Sequence, residues 1–248
     1  DDGAKKLSGR KRHVLVDTLG WLLRAVVGGD LLNSWRAALP ADAPNRFVIN
    51  IQPDQLQALE SLFAARGLGR PEIYPMVRGR LVGINGRAVV AKDYADERSQ
   101  RLVEREFNLS WASAARADNR IVAGRFWRGA DASAQWSVEE GIAQRLGIQL
   151  NDELSFEVAG KRVAARVSNI RKVDWDSMRV NFFVMGPPAL LRNEPATYVT
   201  SFHLPQGGEA LLDELVRRFP NVTVIDVAAI LRDVRAIMER GAQAVGFV

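Results

Sequence analysis

The stretch Val167–Pro188, VSNIRKVDWDSMRVNFFVMGPP, determines how the rest of the chain is interpreted. Its apolar positions Val167, Ile170 and Val173 predict a strand, a polar turn follows, and the apolar residues between 180 and 185 predict a second strand. Two prolines end this second strand, because proline has no backbone N–H to donate to a ladder. We therefore expect a hairpin here. One half of a core and an inserted segment precede it, and the other half of the core follows it.

The composition is typical of a folded chain of one or two domains, with 248 residues, 47% hydrophobic and 25% charged. Of the net charge of +5, residues 1–27 carry +3, so we expect no nucleic-acid partner for residues 28–248. The absence of cysteine excludes disulfides and thiolate metal sites. His13 and His203 lie far apart in the sequence, and we expect neither a metal nor a cofactor.

Two segments have the order strand, helix, strand. In the first, strands at 46–51 and 72–77 flank a helix that begins near Pro53, and the second has strands at 196–204 and 221–225. Two such halves predict an α+β fold with a ferredoxin-like split βαβ core. The helices are expected to bury one apolar stripe each: Leu56, Leu59, Leu62 and Phe63 in the first, and Leu211, Leu212, Leu215 and Val216 in the second.

The region between the two halves is expected to be a β-rich subdomain with a short helix. Asn85-Gly86 is a strong signal for a two-residue hairpin turn. Ser137 followed by Glu140 predicts a capping box at the start of the helix. Residues 112–119 are interpreted as a surface loop.

The chain ends in a helix after Asp226 whose charges stop at Arg240, as in a stalk that approaches a membrane. The expected domains are a fragment at 1–27, a leading stalk at 28–45, the first core half at 46–77, the inserted β-rich subdomain at 78–192, the second core half at 193–225, and an exit stalk at 226–248 that leads to a transmembrane helix.

The segments Gly9–His13 and Val16–Gly20 resemble the GRKRH…VDTLG stretch of insertion-sequence transposases of the DDE type. Such enzymes need three carboxylates that hold two metal ions. Asp17 is at most a neighbour of such a site, and no partner segments follow. The fragment, about a tenth of the chain, is therefore interpreted as an inert remnant at a junction.

From about Gly28 onward the chain resembles the extracytoplasmic, MacB-like periplasmic core domain of FtsX-like ABC transporter permeases. The resemblance is carried by Pro40–Gln55 and Lys172–Val184. It implies a ferredoxin-like subdomain with a mostly β insertion, placed between two transmembrane helices. It further implies an ABC ATPase subunit as partner and a location on the cytoplasmic membrane, with the domain facing the periplasm.

Four residues of the predicted turn are candidate contact or coupling residues: Asp174, Trp175, Asp176 and Arg179. The two aspartates are interpreted as a solvated turn rather than a metal or acid pair. Trp175 has two open interpretations, a contact for cargo or partner and a cap on the core of the insertion. The glycine pairs lack the GK[ST] of a phosphate loop, and no catalytic residue is predicted.

The sequence thus predicts a non-enzymatic permease domain that couples ATP hydrolysis to export or extraction of a substrate. A lipid or lipoprotein cargo and a homodimer remain open. The alternatives are a truncated, transposase-derived DNA-binding hybrid and a free-standing periplasmic binding module.

Overall fold

The computed structural model describes residues 42–129, 132–227 and 229. The predicted fragment at 1–27 and most of both predicted stalks lie outside these residues. The described part is a mixed α/β structure dominated by strands. Its elements are β1 (Arg46–Ile51), α1 (Leu56–Ala65), β2 (Ile73–Ile84), β3 (Arg87–Ala88), α2 (Glu97–Glu104), β4 (Phe107–Trp111), β5 (Asn119–Gly124), β6 (Gln135–Glu139), α3 (Glu140–Leu146), β7 (Glu153–Val158), β8 (Lys161–Val173), β9 (Val184–Gly186), α4 (Pro188–Leu191), β10 (Thr197–Phe202), α5 (Glu209–Arg218) and β11 (Thr223–Asp226).

These elements divide into two compact units. Among the described residues, unit 1 consists of 42–73, 175–180 and 199–229, and unit 2 consists of 74–174 and 181–198. The short segment 175–180 therefore belongs to unit 1, although the residues on both sides of it belong to unit 2.

Unit 1 has a sheet in the order β11-β1-β10, with β1 antiparallel to β11. Helix α1 buries Leu59, Leu62 and Phe63, which confirms the predicted stripe at these positions. The ring of Phe63 meets that of Phe202 edge-on, at 4.8 Å between centroids, so α1 packs on β10. This geometry is favoured because the positive edge of one ring faces the negative face of the other.

Helix α5 buries a narrower stripe than the sequence predicts. Leu211 and Leu215 are buried, whereas Val216 is 49% exposed. An ion pair between Arg66 and Glu214 joins the end of α1 to α5.

Unit 2 is built on a barrel-like sheet of six strands. The order β2-β4-β9-β6-β8 is closed by β7, which pairs with both β8 and β2, while β3 and β5 add to β2 and β8. Its core is aromatic: Trp136 and Phe107 both meet Phe156 edge-on. The indole Nε1 of Trp136 donates to the carbonyl of Leu154 at 3.1 Å, so its one polar atom is satisfied inside the core.

The hairpin predicted at Val167–Pro188 is wrong. Strand β8 ends at Val173, a 3-10 turn covers Trp175–Ser177, and β9 is only three residues long. Strand β9 does not continue from β8 as a hairpin partner; it pairs with β4 and β6, and β6 separates it from β8. The buried run before Gly186 is thus mostly irregular backbone, which is buried but does not form a ladder.

The two other local predictions in unit 2 have opposite outcomes. Asn85 and Gly86 have φ of 51° and 75°, and they connect β2 to β3 as the primed turn that their residue types favour. Ser137 does not cap α3, because it lies within β6, where its hydroxyl donates to Asn169 Oδ1 at 2.5 Å. The cap is Glu139, whose carboxylate accepts from the backbone N–H of Ile142 at 2.9 Å.

Candidate functional site

The predicted contact residues lie in the connection between β8 and β9, which we call the 174–181 loop. Asp174 and Arg179 are exposed and Trp175 is half-buried, while Asp176 lies within the 3-10 turn. The backbone N–H of Arg179 donates to Ser177 Oγ at 3.3 Å. The chain passes from one unit to the other four times, after residues 73, 174, 180 and 198, and two of these passages are in this loop.

Both ends of the 174–181 loop are bound to Asp118, in unit 2. At the first end, the backbone N–H of Asp174 donates to the carbonyl of Asp118 at 3.2 Å. At the second end, the side-chain amide of Asn181 donates to Asp118 Oδ2 at 3.1 Å. One residue therefore fixes the two points at which the loop leaves unit 2 and returns to it.

The carboxylate of Asp118 is itself held by Arg116. Arg116 Nε donates to Oδ1 at 3.0 Å and Nη2 to Oδ2 at 3.1 Å, a bidentate pair with 13% and 12% of the two side chains exposed. The guanidinium also lies 4.2 Å from the ring centre of Tyr74. A planar, two-point ion pair of low exposure defines orientation better than a single surface contact.

Asn119 completes the network. Its side-chain amide donates to Asp118 Oδ1 at 3.0 Å and to Asn181 Oδ1 at 3.1 Å, so it bridges the two residues at the base of the loop. Sequence reasoning missed this network, because it assigned residues 112–119 to a surface loop. The available signal was the close succession of Arg116, Asp118 and Asn119, three side chains that form strong local hydrogen bonds.

A second anchor is Arg171, on the inward face of β8. It is completely buried and donates to the carbonyls of Phe182 and Phe183, just after the loop. Burial lowers the pKa of Arg171 to about 10, an effect that the carboxylate of Glu139 opposes. Arg171 is therefore protonated at neutral pH, and all its hydrogen atoms are available as donors.

The arrangement consists of hydrogen bonds and an ion pair that hold the two ends of the loop. Within residues 42–129, 132–227 and 229, no three His, Cys, Asp or Glu side chains come close enough together to hold a metal ion. The Nδ1 atom of His203 lies 3.0 Å from the carbonyl of Ala43, as expected of a structural histidine. In the same described part of the chain, no helix has both the length and the apolar character needed to cross a membrane.

Comparison with known proteins gives one relative of clear similarity. The uncharacterized ABC transporter permease YbbP of Escherichia coli (strain K12) is 37% identical to this chain over 212 residues. The match covers 86% of the chain and 25% of YbbP, so the chain spans about a quarter of the length of that permease. No family model matches the chain.

Among solved structures, a domain attributed to a permease protein from Porphyromonas gingivalis superposes with a TM-score of 0.40 and 9% identity. The superposition covers 74% of this chain and 91% of that domain. The transposase resemblance of residues 1–27 gains no support from these comparisons.

Proposed function

We propose that this chain is the extracytoplasmic domain of an ABC transporter permease, and that it is non-catalytic. The observation that carries the proposal is the 37% identity to an ABC transporter permease over 212 residues, most of the chain. An ABC permease works with an ATPase subunit, which is the partner we propose. The domain would face the periplasm from the cytoplasmic membrane, in the manner of the FtsX-like, MacB-like permeases that the sequence resembles.

The fold supports the ferredoxin-like part of this proposal. The segments β1-α1-β2 and β10-α5-β11 have the same order of elements, and the strands of unit 1 follow the order β11-β1-β10. In a split βαβ fold, the first strands of the two halves lie side by side, as β1 and β10 do. The barrel-like sheet of unit 2 would then be the inserted subdomain.

The 174–181 loop is the element that we propose for coupling, with Asp174, Trp175, Asp176 and Arg179 as its contact or coupling residues. Its middle clusters with unit 1, whereas its two ends are bound to Asp118 in unit 2. A displacement of the loop therefore acts on Asp118 and its hydrogen-bonding partners, few of whose atoms are exposed. This network can deform only by breaking charge-assisted hydrogen bonds. The cargo of such a transporter, lipid or lipoprotein, is a further part of the proposal.

Hydrogen exchange on the complete transporter tests the proposal. The full-length permease that contains this chain would be purified with its ATPase subunit and compared without nucleotide and with ATP plus vanadate. We expect amide exchange in residues 174–183 to change between the two states, because ATP-driven motion reaches the loop. Failure of the two subunits to purify together would contradict the proposed family, whereas unchanged exchange in an active complex would contradict only the role of the loop.

A catalytic role is tested with the same preparation. We expect ATP hydrolysis to disappear when the ATPase subunit is inactivated at its own nucleotide site. When Asp118 is replaced by Asn, we expect ATP hydrolysis by the complete transporter to persist, with an altered dependence on the rest of the transporter. ATP hydrolysis by the isolated chain would overturn the non-catalytic assignment.

A further inference from the structure

The outward face of β8 has cationic side chains that face acidic ones on β7. Arg162 lies directly opposite Glu157, and Arg166 lies directly opposite Glu153. All four residues are exposed. Side chains at facing positions of an antiparallel pair are about 5 Å apart, so opposite charges there are mutually stabilising. Each cation of β8 here thus faces a carboxylate, although Glu157 also faces Arg80 of β2 and forms its ion pair there, at 3.2 Å.

Further along β8, beyond the irregularity between Val167 and Asn169, a cation faces another cation instead. Lys172 lies directly opposite Arg120 of β5, and both side chains are exposed. Neither forms an ion pair with any residue in the described part of the chain. Two like charges at facing positions destabilise a sheet, so this pair has a cost that the pairs with β7 do not have.

The surroundings of this pair contain basic and apolar side chains and one carboxylate, because Asp174, two residues after Lys172, is also exposed. Val122, at the bulge between Ile121 and Ala123, is 39% exposed, and few large apolar side chains in the described residues are as exposed. Arg125 follows β5 and is exposed, and its backbone N–H donates to the carbonyl of Ser168 at 3.1 Å. We call Arg120, Val122, Arg125 and Lys172 the basic face.

Protection of a sheet edge does not explain the basic face. Strand β5 ends the strand order of unit 2, and bulges and charged side chains are common means of preventing edge-to-edge pairing. The bulge at Val122 serves that purpose and argues against the addition of a partner strand. However, an acidic residue at position 120 would protect the edge equally well and would also neutralise Lys172, so edge protection does not require two cations.

We propose that the basic face binds an anionic membrane surface. Arg120 and Lys172 would contact lipid phosphate groups, and Val122, two residues after Arg120 along β5, would enter the interfacial layer. Cations close in the sheet to an exposed apolar residue suit a lipid surface, because phosphate attracts the charges and the interface accepts the apolar group. The inference rests on the proposed function only for the proximity of a membrane.

Vesicle binding by the 248-residue chain tests this inference, and it requires neither ATPase nor transport. The probes are vesicles of phosphatidylcholine alone and vesicles with equal parts of phosphatidylglycerol, at about 0.1 M salt, where screening acts over about 10 Å. The variants are Arg120→Gln and Lys172→Gln, singly and together. The matched control is Arg162→Gln, which removes one positive charge from an exposed position of the same strand, on the order of 30 Å away.

We expect each substitution in the basic face to weaken binding to phosphatidylglycerol vesicles about fivefold, as expected for one basic residue at an anionic surface. Arg162→Gln should leave the affinity unchanged. The basic residues before position 28 contribute equally to all variants, so the difference between variants isolates the face. The inference is overturned if Arg162→Gln has the same effect as Lys172→Gln, or if the double variant binds as well as the unaltered chain.

Two competitors distinguish other anions from a membrane. Inorganic phosphate at millimolar concentration should not displace the chain from vesicles, and displacement would show a site for free phosphate instead. Polyglutamate that binds the chain more tightly than the vesicles do, with the same dependence on Arg120 and Lys172, would assign the face to an acidic protein and overturn the membrane proposal.

Discussion

The carboxylate of Asp118 accepts a hydrogen bond at 3.1 Å from the side-chain amide of Asn181, which follows it by 63 positions in the chain. The backbone carbonyl of the same aspartate accepts from Asp174 at 3.2 Å. Asp174 and Asn181 are seven positions apart, and the residues between them belong to the other unit. Both are bound to Asp118, Asn181 to its side chain and Asp174 to its backbone. The loop carries the predicted contact residues, but the geometry that fixes it lies at Asp118.

Replacing Asp118 with Asn should destabilise unit 2 and loosen the loop. An amide has one acceptor oxygen, so Arg116 loses its bidentate partner and competes with Asn119 and Asn181 for that oxygen. We expect the free energy of unfolding to fall by about 1–3 kcal/mol, as for charge-assisted hydrogen bonds to partly buried groups. Chemical denaturation measures the loss, and faster amide exchange at 174–183 would locate it.

The control for Asp118→Asn is Glu97→Gln, which disrupts the pair of Glu97 with Arg101 on α2. Those side chains are 79% and 77% exposed, and exposed pairs contribute less than about 1 kcal/mol. Equal losses in the two variants, or a loss in Asp118→Asn without faster exchange in the loop, would show that Asp118 does not hold the loop.

The sequence predicts those parts of the fold whose determinants are local. The stripe of Leu59, Leu62 and Phe63 follows from helical spacing, and the turn at Asn85-Gly86 follows from the tolerance of both residues for positive φ. Each of these signals lies within a few residues, and it can be read without knowing which strand or helix the segment packs against.

The hairpin at Val167–Pro188 could not be corrected from local signals. The run from Val180 to Met185 is apolar because it is buried, and a buried apolar run indicates burial without specifying a strand or its neighbour. The partners of β9 are residues 109–111 and 137–138, which are distant in sequence. Pairing over such separations depends on the whole fold, and so does the position of Asn181 beside Asp118.

The sequence analysis did not predict Arg171 as a buried residue, because it identified the strand from apolar residues such as Ile170 and Val173. The buried positions of β8 also include Asn169 and Arg171, both fully buried, whereas Ile170 is only half-buried. A charged residue at a buried strand position is rare, because desolvation disfavours it unless donors and acceptors are provided. Only the structure shows that the carbonyls of Phe182 and Phe183 provide the acceptors.

Replacing Arg171 with Met should destabilise unit 2 strongly. Methionine has a similar length but leaves the two carbonyls without their donor and removes the cation near Glu139, a side chain of which only 6% is exposed. We expect a loss of about 3–5 kcal/mol, the usual cost of removing one member of a buried charged network. Arg166→Met, on the exposed face of the same strand, should cost less than about 1 kcal/mol. A variant Arg171→Met as stable as the unaltered chain would show that Arg171 is not an anchor.

The pH dependence of unit 1 should depend on Glu214. The hydrogen bond from Arg66 lowers the pKa of Glu214 below its usual value. Because the folded-state pKa is the lower one, the contribution of this pair is present above the unfolded-state pKa and is lost as the pH falls through the folded-state pKa. In the variant Arg66→Gln, the titration midpoint of the Glu214 carboxyl carbon, measured by NMR, should rise.

Asp96 is the internal reference for that titration. Its pKa is also lowered, in this case by hydrogen bonds from Ser99 on α2, and it has no contact with Arg66. The midpoint of Asp96 should therefore be the same in the unaltered chain and in Arg66→Gln. If both midpoints move together, the shift of Glu214 reflects a general change in the charge of the protein rather than the loss of its partner.

Reversing the charge at Arg120 should stabilise the isolated chain. Arg120→Glu converts the facing pair with Lys172 from like to opposite charges, and a favourable cross-strand pair contributes about 0.2–1 kcal/mol. The mirror substitution is Arg162→Glu, which turns the opposite pair with Glu157 into a like pair and should destabilise the chain by a similar amount. Both changes alter the net charge equally. If the midpoints of thermal or chemical unfolding of the two variants shift in opposite directions, the shifts therefore reflect the local pairing. If the unfolding midpoints of both variants shift in the same direction, the net charge dominates the effect. The facing cations Arg120 and Lys172 then do not destabilise the sheet, and an anionic partner has no repulsion to relieve.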